Sequence, residues 1–275
     1  MSASLTVSVV TYAPEFVVLV ETLGSLARAL DRAYAEECLG QSRVTVIDNG
    51  PGTRFAEPLR QLVHAALPAP FEAEVLSGHG NVGYGRGHNL ALLVSDADYH
   101  LVLNPDVTLA PEAIVAALSY MKRNAEIVIL APEASDERGE PLYLCKRYPS
   151  VLDLTLRGFA PRAVRRLLRA RLDHYEMRDL PRSEAKRGVP ILSGSFMFCR
   201  RGPIAAIGGF SDAFFVYFED FDLSLRAAAV GGLAYVPTVR IVHRGGHAAR
   251  KGLCHVALFA RSALTFFNRH GWKWV

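Results

Sequence analysis

The 275-residue chain is 50% apolar and 21% charged, which suits a folded protein with a substantial core and excludes a disordered one. No run approaches the roughly 18–20 uninterrupted apolar residues of a membrane-spanning helix. The opening MSASLTVSVVTY lacks a basic stretch followed by a cleavage site, so no secretory signal is expected. Cys38, Cys145, Cys199 and Cys254 are scattered, with no C-x-x-C pair, which predicts reduced thiols rather than a disulfide frame or a zinc site. The net charge of +4 is local: residues 157–187 hold ten Arg or Lys against four acids, and the remainder holds 21 against 23.

LTVSVVTY (5–12) and RVTVIDNG (43–50) are apolar, β-branched and end in polar residues, as buried strands do. A helical apolar pattern over 15–35 separates them. AEVLS (73–77), YHLVLN (99–104) and EIVILAP (126–132) predict further strands. Helices are predicted at 84–95 and 111–124, the second opening on Pro111 and Glu112. This alternation predicts βαβ units in a mostly parallel sheet with helices on both faces. Ligands of such sheets sit at the carboxyl ends of the strands, which directs attention to Thr11–Tyr12, Asp48–Asn49, Asn81 and Asn104–Asp106. After about residue 140 the regularity fades. The basic segment is helical in places, VPILSGSFMFCRR (189–201) reads as a strand, and 202–207 as a short helix. LAYVPTVRIVHR (233–244) reads as a last strand or pair of strands, and 254–270 as an amphipathic terminal helix. With no repeat or linker, one continuous domain is expected, with a regular first half to about residue 140 and a less regular second half.

Three stretches carry chemistry. FFVYFEDFDLSLR (214–226) sets Glu219, Asp220 and Asp222 in an apolar run. They could be the acidic first turn of a helix, with Asp222 and Arg226 as a surface i, i+4 pair, or one could be a partly desolvated proton acceptor. GNVGYGRGHN (80–89) misses the dinucleotide fingerprint because His88 stands where its third glycine belongs. It is either a glycine-rich turn or a backbone approach to a nucleotide or sugar at a helix start. LNPDV (103–107) offers Asn104 and Asp106, as an Asx turn or as oxygen ligands for a nucleotide-bound magnesium. His243 could add a nitrogen; with His247 it would match helical metal spacing, but Gly245 and Gly246 oppose a helix there.

Taken in order with VSVVTY, VIDNG, LSGSFMFCRR, GGF and VRIVHRGG, these motifs resemble the family 2 glycosyltransferases, in the bacterial rhamnosyltransferase-like branch that builds surface polysaccharides such as lipopolysaccharide and cell wall. The resemblance implies a GT-A fold, with a nucleotide-sugar-binding half to about residue 140 and an acceptor-binding half after it, and an inverting transfer from a nucleotide sugar. By that resemblance Asp48 holds the base, and Thr11, Tyr12, Asn81, Gly83, Asn89 and Asn104 line the nucleotide-sugar pocket. Asp106 binds Mg²⁺ or Mn²⁺ with His243, Asp220 is the catalytic base, and Glu219 supports it. The family's D-x-D position reads Asn104-Pro105-Asp106 here, which leaves one carboxylate. The donor implied is dTDP-L-rhamnose and the acceptor a saccharide, free or polyprenyl-diphosphate-linked. The alternatives are a hexosyltransferase using a UDP- or GDP-sugar and a binding module without turnover. The enzyme is expected in the cytoplasm, or peripheral at the inner face of the membrane. No nucleic-acid reading motif is present. Arg162, Arg165, Arg166 and Arg169, interleaved with Val164, Leu167 and Leu168, suggest an interfacial helix for an anionic membrane, or else a solvated basic face or a dimer contact.

Overall fold

The computed structural model describes residues 2–245 and 253–275, without the side chains of 253 and 254. His247 lies outside the described residues. The first half contains β1 (Ala3–Thr11), α1 (Phe16–Ala35), β2 (Leu39–Asp48), α2 (Ala56–Ala66), β3 (Glu72–Leu76), α3 (Tyr84–Leu92) and β4 (Tyr99–Leu103). β5 (Val107–Leu109), α4 (Ala113–Arg123), β6 (Ile127–Ser135), β7 (Pro141–Leu142) and β8 (Cys145–Lys146) follow. The basic segment spans the end of α5 (Val151–Phe159), then α6 (Arg162–Leu167), α7 (Arg169–Tyr175) and β9 (Lys186–Arg187). The chain continues through β10 (Ile191–Leu192), β11 (Phe196–Arg200), α8 (Arg201–Ala206), α9 (Glu219–Ala227), β12 (Gly232–His243) and α10 (Leu253–His270).

The main sheet runs β3-β2-β1-β4-β11-β6-β12-β5, with β7 and β9 pairing beside it. β1 is parallel to β2 and β4, β2 to β3, and β6 to β12. β11 inserts antiparallel between β4 and β6. Strand periodicity sorts the core into two faces. Leu101, Leu103, Phe196 and Phe198 pack with residues of α1, α2 and α4. Val102, Met197 and Cys199 pack with Leu92 of α3, Ile204 of α8 and Leu223 of α9. Each large aliphatic side chain so buried contributes about 1.5–3 kcal/mol. The sheet is thus mostly parallel and covered on both faces.

Two expectations change in detail. The strand foreseen over 189–201 is broken at Ser193-Gly194-Ser195 into β10, which pairs with β8 in a separate small sheet, and β11. The single basic helix does not form, because the chain leaves helical geometry at Leu168 (φ −100°, ψ 25°) between α6 and α7. Residues 233–244 form one strand, with a register irregularity between Val236 and Arg240. Cys38, Cys145 and Cys199 are free thiols, and burial raises the pKa of each.

Candidate active site

Parallel pairing of β1 with β2 sets Thr11 beside Asp48 at their carboxyl ends. Both are buried; the Thr11 hydroxyl donates to Ile47 O, and Asp48 Oδ1 accepts from Gly50 N at 2.9 Å. Asp48 Oδ2 is buried with no hydrogen-bond partner, an acceptor left for something outside the chain. Tyr12, next along, is 60% exposed. Asn49 links this edge to the glycine-rich loop, donating through Nδ2 to Gly83 O at 2.9 Å, while His79 Nε2 lies 3.0 Å from its Oδ1. Asn81 closes the turn by accepting from Gly83 N. Position 83 requires glycine: its φ is +90°, and a Cβ there would sit 2.3 Å from Phe215 O.

Tyr84 opens α3 and joins the two halves. Its hydroxyl donates to Gly194 O at 2.6 Å and lies 2.8 Å from Asn104 Oδ1. Gly194 N in turn donates to Asp220 Oδ2 at 2.9 Å. This meeting follows from strand direction. Because β11 runs against β4, the break before β11 falls beside the end of β4, and Asn104 N donates to Ser195 O. Burial holds the Tyr84 pKa well above the ordinary phenol range, and the negative charges of Glu219, Asp220 and Asp106 add to it. Tyr84 thus links Asn104, two residues before Asp106, through Gly194 to Asp220.

Asp106 and His243 are brought together by the antiparallel pairing of β12 with β5, in which His243 faces Val107. His243 Nε2 is 3.3 Å from Asp106 Oδ1, a buried oxygen with no hydrogen bond. A Cβ at Gly245 would lie 2.4 Å from His243 Nε2 and 3.1 Å from Asp106 Oδ2, so glycine leaves the approach to both groups open. One carboxylate and one imidazole fit a divalent cation whose remaining ligands are phosphate and water. Among the described residues no group of three or more His, Cys, Asp or Glu could hold a metal, so the chain itself offers this pair.

Glu219 and Asp220 begin α9 directly after Tyr217 and Phe218, two non-glycine residues with φ of +69° and +66°. Such backbone is strained and persists only where its surroundings hold it, here the aromatic cluster of Phe214, Phe218 and Phe266. Burial raises both carboxyl pKa values, and the charge of Asp220 helps push Glu219 up to about 8. The two environments differ. Asp220 accepts from the backbone N–H of Gly194 and of Phe221, which favours its charged form. Glu219 Oε2 is buried with no partner. Protonation is therefore favoured at Glu219 over Asp220.

The sequence model of glycosyl transferase family 2 matches residues 8–208. The chain belongs to this family. This glycosyltransferase is 30% identical to N-acetylglucosaminyl-diphospho-decaprenol L-rhamnosyltransferase of Mycobacterium tuberculosis, over 100% of this chain and 87% of that protein. It is 25% identical to the rhamnosyltransferase WbbL of Escherichia coli K12, over 63% of this chain and 65% of that one. GalNAc-T7, solved with UDP, GalNAc and Mn²⁺, superposes with a TM-score of 0.62 at 14% identity, over 88% of this chain and 43% of GalNAc-T7. The chain thus spans less than half of GalNAc-T7. S. aureus TarS 1–349 with UDP-GlcNAc gives 0.56 at 15% identity, over 98% of this chain and 67% of that one. The fold is GT-A.

Two residues of the glycosyltransferase have roles that the spacing did not foretell. Asn89 was expected in the sugar pocket, but its amide is spent on the backbone of Phe210, donating to O at 2.8 Å and accepting from N at 2.9 Å. It clips the Gly208-Gly209-Phe210 turn. Asp222 is fully buried rather than on the surface. Its Oδ2 accepts from Arg226 Nε at 2.7 Å, and its Oδ1 lies 2.8 Å from His270 Nε2 of α10. Arg226 also donates to Ile207 O and Gly209 O, so this pair ties α9, α10 and the glycine turn together. Tyr84 and Gly194 are not singled out by the sequence, although each stands inside a quoted motif; Asn49 is, as a strand end, and Gly245 only as a residue that opposes a helix. Two surface cavities, of about 590 and 530 Å³, lie by Arg43 and His64 and by Tyr34 and Lys122, away from all of these residues.

Proposed function

We propose that this glycosyltransferase moves L-rhamnose from dTDP-L-rhamnose to a lipid-linked saccharide, with inversion, at the inner face of the cytoplasmic membrane. The two rhamnosyltransferase relatives support the sugar, and the name of the mycobacterial relative supports a lipid-linked acceptor. The observation that carries the chemistry is the run of contacts from Asn104, two residues before Asp106, through Tyr84 and Gly194 to Asp220. Asp48 Oδ2 accepts from the pyrimidine, beside Thr11, Tyr12 and the Asn81–Gly83 turn. Asp106 and His243 would hold Mg²⁺ or Mn²⁺, with Asn104 alongside. When bound, the cation stabilises the charge that develops on the leaving diphosphate. Asp220 takes the proton of the acceptor hydroxyl as that oxygen bonds to the anomeric carbon and the anomeric bond to diphosphate breaks. Inversion needs one such base and no protein nucleophile. Glu219, neutral at working pH, can donate to the acceptor without competing for its proton.

The test is transfer to a synthetic polyprenyl-diphosphate N-acetylglucosamine from a panel of nucleotide sugars, with and without Mg²⁺ or Mn²⁺. The expected result is metal-stimulated turnover with dTDP-L-rhamnose. Asp106→Ala should abolish the metal stimulation, and His243→Ala should reduce it less, since a neutral imidazole brings less charge. Turnover preferring a UDP- or GDP-hexose would replace the donor, and donor binding without any transfer would leave a binding module.

A further inference from the structure

The arginines of the basic segment divide into two sets. Arg157, Arg169, Arg171, Arg178 and Arg182 form ion pairs, with Glu176, Asp173, Asp153 and Glu133 among the partners, and knit the second half together. Arg162, Arg165 and Arg166 form no ion pair among the described residues, and all three are exposed on α6. Beside them stand Leu167, 83% exposed, and Phe159, 62% exposed, at the end of α5. The other end of α5 carries a second apolar feature. Val151 N donates to Lys273 O at 2.8 Å and Leu152 N to Trp274 O at 3.1 Å, which fixes the C-terminal tail there. Trp272 and Trp274 stack with centroids 4.9 Å apart, and Trp274 is 64% exposed. A nine-residue helix is about 13 Å long, so the tail and α6 stand at the two ends of α5, about that far apart.

Large apolar side chains rarely gather exposed without a partner. Tryptophan beside unpaired cations suits the headgroup layer of a bilayer, where the ring has an apolar body and a polar edge. Nucleic acid would match the arginines and could stack bases on Phe159, but it would leave the aliphatic Leu167 exposed. We infer that α6, the end of α5 and the C-terminal Trp-Lys-Trp tail form a docking face for an anionic lipid surface. Arg162, Arg165, Arg166 and Lys273 meet the lipid phosphates there, while Phe159, Leu167 and Trp274 enter the interface. The placement suits catalysis, since Arg157 of the same α5 lies near enough to Asp220 to offset part of the rise that burial causes. The inference extends the lipid-linked acceptor reading by naming the face that meets the lipid. Its test reads binding alone, so it can fail while sugar transfer stands, and the reverse.

The experiment is co-sedimentation of the full chain with vesicles of phosphatidylcholine, alone or mixed with phosphatidylglycerol, at low and high salt. Binding is expected only to the anionic vesicles, falling with salt and accompanied by a blue shift of tryptophan fluorescence. The triple change Arg162→Glu, Arg165→Glu and Arg166→Glu should weaken it about a hundredfold. Leu167→Ser with Trp274→Ser should weaken it at unchanged salt dependence. Both variants alter exposed side chains and should keep the parental melting temperature and dTDP-sugar binding. Equal partitioning to neutral and anionic vesicles would overturn the inference, as would full binding by the charge-reversed variant or tighter binding to single-stranded RNA than to the vesicles.

Discussion

The strand-end group around Asp48 and Asn104, proposed to hold the donor, and the acids of α9, proposed to supply the base, are built in different ways. Thr11, Asp48 and Asn104 stand at or just past the ends of parallel strands, and β-sheet register alone brings them together. Asp220 stands on a helix that starts from two left-handed residues, and a buried ion pair holds that helix against α10 and a double-glycine turn. The first arrangement is inherited from the sheet and leaves little to adjust locally. The second depends on side chains that themselves need holding, so substitutions there can affect chemistry, stability or both. Asp220 and Asp222, two residues apart, separate these outcomes.

The largest expected effect is on chemistry. Asp220→Asn should lower single-turnover transfer by about 10²–10⁴-fold, the usual contribution of a general base, while melting temperature and donor binding survive. Asp222→Asn should do the opposite. Removing one partner of a buried pair costs about 3–5 kcal/mol, and a neutral amide that keeps some hydrogen bonds should fall at the lower end, read as a drop in the denaturation midpoint. If Asp220→Asn turns over normally and Asp222→Asn is folded but dead, the base has been misassigned.

Glu219 gives a subtler contrast. Its pKa is raised in the fold, so between the ordinary carboxyl value of 4.5 and about 8 the folded state holds a proton that the unfolded chain has lost. Stability should therefore decline as pH rises through that window. Glu219→Gln should flatten this slope, melting above the parent at pH 8–9, with the gap closing near pH 4.5 and transfer reduced but detectable. A parent melting temperature that rises across the same window would show Glu219 to be ionised. Smallest is Tyr84→Phe, which loses the link between Gly194 and Asn104. It should cost about 1 kcal/mol in stability, with a loss of transfer greater than the loss of donor binding.

Periodicity and strand-end rules made the first half legible: β1, β2, β3, β4 and β6 appear close to where apolar β-branched runs placed them, and Asp48 and Asp106 could be named from position alone. The short β5 and helix α2 were not foreseen. β5 is only three residues long and exists because β12 pairs with it, and that pairing delivers His243 to Asp106. The burial of Asp222 was equally hidden, because an i, i+4 carboxylate and arginine look the same in sequence whether they face solvent or α10. By itself, then, the sequence determined the alternation of elements, the strand ends that carry the proposed ligand-binding groups, and the pair of acids that opens α9. Those are local properties, fixed by side-chain period and by which residues suit a strand end or a helix start. Tertiary structure decided which acid is held ready and which is locked away, that Asn89 serves a turn, and that Tyr84 and Gly194 join the halves. It decided these because hydrogen-bond partners and desolvation come from other segments of the chain, 26 positions away for Gly194 N and Asp220, 48 for His270 and Asp222, and 110 for the Tyr84 hydroxyl and Gly194 O.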